Sequence, residues 1–210
     1  MHILIFGASG ATGQHLVKQA LDQHYDVTAF VRDTGKLSIK HEKLRQVQGN
    51  VIDYETVKNA MSGQDAVLSA LGANSPFKFD QAVVDGLGNI IKAMESANVH
   101  RLIYLSTIAV KESRNDAGFF NRHIAPLLLR TEIAGHEARE KMIRQTHLKY
   151  TIVQLPKLTN GKQTGKYISG ETLKINTFVN NVSRADTAEF MLKQLTDDTY
   201  AGRTVRVMSL

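Results

Sequence analysis

The 210-residue chain contains no cysteine. Disulfides, thiolate catalysis and cysteine-ligated zinc are therefore excluded. The absence suits a reducing compartment, and a cytoplasmic location is expected. No apolar run approaches the roughly 20 residues that span a bilayer, so no membrane partner is expected. The stretch Met1-His2-Ile3-Leu4-Ile5-Phe6 lacks a basic region and is cut short by Gly7, so it is not expected to be a secretory signal. No five basic residues lie together, although the net charge is +6. Groups such as Lys36, Lys40, Lys43, Arg45 and Arg139, Lys141, Arg144 read as solvated helix faces, and nucleic acid is not expected as a partner. His136-Glu137 has no second histidine at helical spacing, so no metal site is expected. What remains is an ordinary globular composition, 42% hydrophobic and 22% charged. It fits one domain over residues 1–210, as a monomer or homodimer.

Short apolar runs alternate with amphipathic stretches. The pattern predicts strands at 2–6, 26–31, 44–48, 65–71, 102–105, 150–155 and 204–208. It predicts helices at 11–23, 54–61, 80–97, 123–146 and 183–195. Continuous apolar strands separated by helices imply an α/β chain, a doubly wound parallel sheet covered on both faces in three layers. Ligands of such sheets lie beyond the carboxyl ends of the strands. That rule selects the loops after Phe6, Val31, Gln48, Ala70, Leu105 and Leu155. Residues 157–181 are polar and long for a connector, and are expected to form a loop or small hairpin over the site.

The first of these loops reads Gly7-Ala8-Ser9-Gly10-Ala11-Thr12-Gly13. Its glycines suit a tight turn, close approach of backbone to phosphate, and close packing of helix on strand. The helix that follows offers free amides and a partial positive charge to a pyrophosphate. Ser9 and Thr12 add hydroxyl donors. An acidic residue at the end of the second strand would bind the adenosine ribose of NAD and repel the 2′-phosphate of NADP. Arg32 stands there instead, and its guanidinium suits that phosphate. NADP(H) is therefore the favoured cofactor. Asp33, one position on, keeps NAD(H) open.

Several segments now resemble a known family. They are Ile5–Gly13, Val31-Arg32-Asp33, Gly49-Asn50-Val51-Ile52-Asp53, 65–72, 150–156 and Ser183-Arg184-Ala185-Asp186. Together they resemble the atypical short-chain dehydrogenase/reductase superfamily, in particular its compact NAD(P)H-binding members of the biliverdin reductase B-like and NmrA-like kind. The resemblance implies a Rossmann fold. It implies that Asp53 accepts from the adenine amino group, and that Ser69, Ala70, Leu71 and Gly72 pass under the cofactor ribose. It places Ser106 and Thr107 beside the nicotinamide and substrate, with Pro156 and Leu158 bordering the nicotinamide. Asn89 and Asp186 read as a buried hydrogen-bonding residue and a helix cap.

The usual tyrosine–lysine pair of that superfamily is missing. The spacing Tyr54-Glu55-Thr56-Val57-Lys58 falls on the adenine side and reads as chance. Ser106 and His123 are the candidate catalytic residues, with His136 behind them. Without a strong acid, the expected acceptor is one that takes its proton from water, such as a flavin, quinone or other conjugated or carbonyl compound. The sequence thus points to an NADPH-dependent oxidoreductase. The alternative is a non-catalytic NADP(H)-binding redox sensor acting through a protein partner.

Overall fold

The computed structural model describes residues 1–72, 80–110, 130–175 and 180–210. In chain order these give β1 (His2–Phe6), α1 (Ala11–Asp22), β2 (Asp26–Val31), β3 (Leu44–Gln48), α2 (Tyr54–Met61), β4 (Ala66–Ser69), α3 (Gln81–Ser96) and β5 (Arg101–Thr107). There follow α4 (Arg130–Arg144), β6 (Lys149–Leu155), β7 (Lys157–Thr159), β8 (Tyr167–Gly170), β9 (Asn181–Ser183), α5 (Arg184–Lys193) and β10 (Arg203–Ser209). A one-turn 3-10 helix, Thr34–Lys36, lies between β2 and β3.

Eight strands form one sheet in the order β3-β2-β1-β4-β5-β6-β10-β8. All neighbours are parallel except β8, which runs antiparallel to β10. The strand order reverses direction between β1 and β4, and that switch opens a crevice at their carboxyl ends. This is the doubly wound Rossmann arrangement expected from the alternation of apolar runs and helices.

Alternate strand residues feed two cores. One face carries Ile3, Ile5, Leu68, Ile103, Val153 and Val205 and is covered by α1 and α5, which pack on each other. The opposite face carries Leu4, Phe6, Val67, Leu102, Tyr104 and Ile152, covered by α2, α3 and α4. Helix α1 buries Leu16, Val17, Ala20 and Leu21 on one stripe, and α3 buries Val83, Leu87, Ile90, Ile91 and Met94. Each fully buried leucine or isoleucine contributes about 1.5–3 kcal/mol by leaving water.

Among the described residues of 157–181, no two strands pair with each other as a hairpin. β7 pairs in parallel with β9, and β8 extends the main sheet beside β10. The open backbone edge of β10 takes up β8 as a ladder partner. Helix α4, expected from residue 123, is described from Arg130 onward. His123 lies outside the described residues.

Candidate cofactor groove and the buried cluster beside it

The crevice at the β1–β4 switch is a groove of about 310 Å³. Gly7, Ser9 and Gly10 form one wall, Ala70, Leu71 and Gly72 the second, and Phe30 to Arg32, Lys36 and Gly49 to Val51 the far end. Two glycines are dictated by space. Gly7 has φ +75°, and a Cβ there would lie 2.6 Å from Ala70 O. A Cβ on Gly13 would lie 2.0 Å from Gly7 O, so α1 could not approach the loop as it does. Gly10 is the N-cap of α1 and supplies no side-chain cap, and the first turn holds no acid. The first amides of α1 are therefore not satisfied by their own cap, the condition for a phosphate at a helix N-terminus. Ala11 and Thr12 begin that turn. A dinucleotide fits these residues.

At the end of β2, Arg32 lines the groove together with Lys36. The expectation that Lys36 belongs to a solvated helix face is corrected, because it lines the groove. The 3-10 turn Thr34–Lys36 carries it there, and Asp33 caps that turn by accepting from Gly35 N at 2.9 Å. The Asp33 carboxylate is thus engaged locally rather than lining the groove. Asn50, not Asp53, is the polar member of the Gly49–Asp53 turn that reaches the lining. Asp53 caps α2 instead, accepting from the amides of Glu55 and Thr56 and from Thr56 Oγ1. These bonds, led by the Thr56 hydroxyl, hold its carboxyl below the usual range. Asn89 donates to Val51 O and Ile52 O, both at 3.0 Å, and so fixes the same turn. Tyr54 stacks under Lys92 and contacts Ser96, which gives the Tyr54–Lys58 spacing a structural explanation.

The end of β5 leads away from the groove into a buried polar cluster. Ser106 is 1% exposed and faces Gln154 across the β5–β6 register. Ser106 Oγ donates to Glu140 Oε1 at 2.5 Å and lies 3.2 Å from His136 Nδ1. Glu140, itself buried, also accepts from Gln154 Nε2 at 3.1 Å and from Arg144 Nη2 at 2.7 Å. His136, Glu140 and Arg144 recur every four residues and share one face of α4. The expectation that Arg139 and Arg144 belong to a solvated helix face is corrected. Arg139 is only 2% exposed, and Arg144 closes the Glu140 network, because this side of α4 lies on the sheet.

Proton counting fixes the roles. Ser106 has a single hydroxyl proton, and an ionised carboxylate beside Arg144 can only accept it. The contact with His136 is then filled by Nδ1–H donating to Ser106 Oγ. Burial, and then the positive charge of Arg139, push the His136 pKa down to about 3. The ring is neutral at pH 7, and its Nε2 is an acceptor. His136 is therefore not an imidazolium acid at neutral pH. Thr107 Oγ1 accepts from Ala109 N at 3.3 Å, and Pro156 is buried where β6 ends. Asp186 was expected to cap α5, but the N-cap is Ser183, whose hydroxyl accepts from Asp186 N, while the Asp186 carboxylate ties down the loop before β8. It accepts from Thr164 N, Gly165 N and Ser183 Oγ. Burial opposes its charge, but these bonds outweigh burial and keep its pKa low. No helix among the described residues is long and apolar enough to cross a membrane, and no group of three or more ligating side chains able to hold a metal is found among them.

Comparison with known proteins agrees with this architecture. Photosystem II assembly factor Ycf39 of Synechocystis sp. is 28% identical over 222 residues, covering 99% of this chain and 62% of the relative. Its namesake in Guillardia theta is 25% identical over 224 residues, covering 100% and 65%. The chain thus spans less than two-thirds of the length of these curated relatives. Among solved structures, the oxidoreductase ylbE from Lactococcus lactis superposes with a TM-score of 0.84 at 21% identity, covering 100% of this chain and 91% of that one. ChuY, an anaerobillin reductase from Escherichia coli O157:H7, gives 0.84 at 18% identity, covering 100% and 97%. At such identities the likeness is one of fold. The family described as NAD(P)H-binding matches residues 7–198, and with the groove built as above, the chain belongs to that family.

Proposed function

We propose that the chain is an NADPH-dependent oxidoreductase that reduces a small conjugated acceptor of the flavin, quinone or carbonyl type. The observation that carries the cofactor choice is the pair Arg32 and Lys36 at the end of β2, with Asp33 drawn aside to cap the intervening turn. Arg32 and Lys36 outnumber the one carboxylate of the groove lining, Asp80, and two cations at the end of β2 suit a 2′-phosphate. When bound, the reduced nicotinamide supplies a hydride. The glycine loop and the first amides of α1 hold the pyrophosphate. Ala70, Leu71 and Gly72 would run beneath the ribose and Asn50 would stand at the adenine end, while Ser106, Thr107 and Pro156, which do not line the groove, would lie toward the nicotinamide end. Ser106 is held by Glu140 and His136 and so positions rather than donates. The acceptor's proton then comes from water, as conjugated acceptors allow.

Arg32→Glu tests the cofactor assignment. NADPH affinity is expected to fall by about 10- to 100-fold, the loss of one or two charge-assisted bonds. NADH affinity is expected to stay within about threefold. Equal losses for both cofactors would remove Arg32 from this role. NADPH oxidation across a panel of flavins, quinones and enones tests the reaction.

The second reading is a redox sensor that binds NADP(H) and acts through a protein partner. It is favoured by the neutral His136, whose one N–H is held by Ser106, and by the lack of a tyrosine–lysine pair. The name of the Ycf39 relatives, assembly factors, points the same way. No turnover across the panel, with NADPH still bound, would establish this reading over the first.

A further inference from the structure

Three buried polar side chains on the α4 face of the sheet have no role in the groove as described. Ser69 and Tyr104 are register partners on β4 and β5. Both are fully buried, and neither hydroxyl has a hydrogen-bond partner among the described residues. Arg139 on α4 is the third. It donates through Nε to Gly135 O at 2.9 Å and through Nη1 to Leu71 O at 3.4 Å. Both acceptors are neutral carbonyls, and among the described residues no carboxylate pairs with this guanidinium. Glu140, next in the chain, is already held by Ser106, Gln154 and Arg144.

A guanidinium withdrawn from water costs several kcal/mol unless an anion compensates it. Its five N–H donors match the oxygens of a carboxylate or phosphate. Position supplies the second half of the argument. Leu71, whose carbonyl Arg139 contacts, is also a wall of the groove where β4 ends. The charge of Arg139 reaches Tyr104 and His136, so it sits between the groove and the end of β5. The pyrophosphate already has the amides of α1, which leaves Arg139 for a different anion.

We infer that Arg139 recognises an anionic oxygen, carboxylate or phosphate, held beside Leu71, and that this oxygen belongs to the acceptor. Acceptors carrying such a group are preferred over their neutral counterparts. The inference rests on the proposed reductase reading, but its test needs no turnover.

Calorimetric titration of the NADP⁺-saturated full chain with FMN and with riboflavin compares one ring system with and without a phosphate. The intact protein is expected to bind FMN at least about tenfold more tightly. Arg139→Met should abolish that difference while leaving riboflavin affinity within about twofold, and Arg139→Lys should restore part of it. If Arg139→Met instead weakens NADP⁺ and leaves both 2′,5′-ADP and the flavin ratio unchanged, the anion is the cofactor's pyrophosphate, and the assignment to the acceptor is overturned. If Arg139→Met does not fold, the intact protein decides: equal affinity for the two flavins, or binding of neither, overturns the proposal. FMN preference without NADPH oxidation would uphold Arg139 and sink only the reductase reading.

Discussion

His136 carries a consequence for acid stability. Its folded pKa, near 3, lies below the ordinary 6.5 of the unfolded chain. Protonation therefore favours unfolding. The stabilisation is complete above pH 6.5 and is lost as pH falls toward 3. One such group steepens the loss by about 1.4 kcal/mol per pH unit within that window. His136→Gln keeps an N–H for Ser106 but cannot titrate. Urea midpoints at pH 7, 6 and 5 should fall less steeply for the variant than for the parent. Parallel slopes would show that His136 does not titrate from a buried neutral state. Arg32 and Arg139 belong to the same scale. Each is a single guanidinium whose value depends on the anion it meets, which is why both tests compare one ligand with and without its charge.

Among the elements, α2 separates two readings of one residue. The family resemblance gives Asp53 to the adenine, whereas the fold spends its carboxylate on the N-terminus of α2. Asp53→Ala should lower Tm by roughly 2–4 °C through loss of the cap. Asp53→Asn, which can still cap, should lower it less. NADPH affinity should stay within about twofold in both, since the side chain does not line the groove. A tenfold loss of affinity at unchanged Tm would return Asp53 to the adenine. Elements differ in how openly the sequence announces them. β1, β2, β3 and α2 match their expected bounds because apolar periodicity and a turn or cap agree at each end. β8 was not expected, because Tyr167-Ile168-Ser169-Gly170 has no buried face of its own and is fixed by backbone pairing to β10. α4 misled in another way. Arg139, Lys141 and Arg144 read as a solvated stripe, and only the fold sets Arg144, with His136 and Glu140, over Ser106 and Gln154, 48 residues apart.

For the molecule as a whole, the groove is the part most legible in the sequence, because one contiguous loop encodes it. Its cationic end was half legible: Arg32 follows from its place after β2, whereas Lys36 depends on a turn that periodicity does not reveal. The proposed acceptor end would draw on β4, β5, β6 and α4, so no local pattern displays it. A global test follows from linkage. NADPH at about 100 times its dissociation constant adds about 2.7 kcal/mol to the folded state. For a chain of this length that raises Tm by roughly 5–10 °C. NADH at the same concentration should give a much smaller rise, and equal shifts would contradict the cationic rim as a selector. The contact of Gly7 with Ala70 has a kinetic corollary. Phe6 O receives Ala70 N at 3.0 Å and Gly7 O receives Gly10 N at 2.9 Å, so the loops after β1 and β4 brace one another before any ligand arrives. A cradle already in its final shape asks for no rearrangement on encounter. Cofactor association should then proceed in one step, its observed rate rising in a straight line with concentration, and differences in affinity among dinucleotides should reside in how fast they leave.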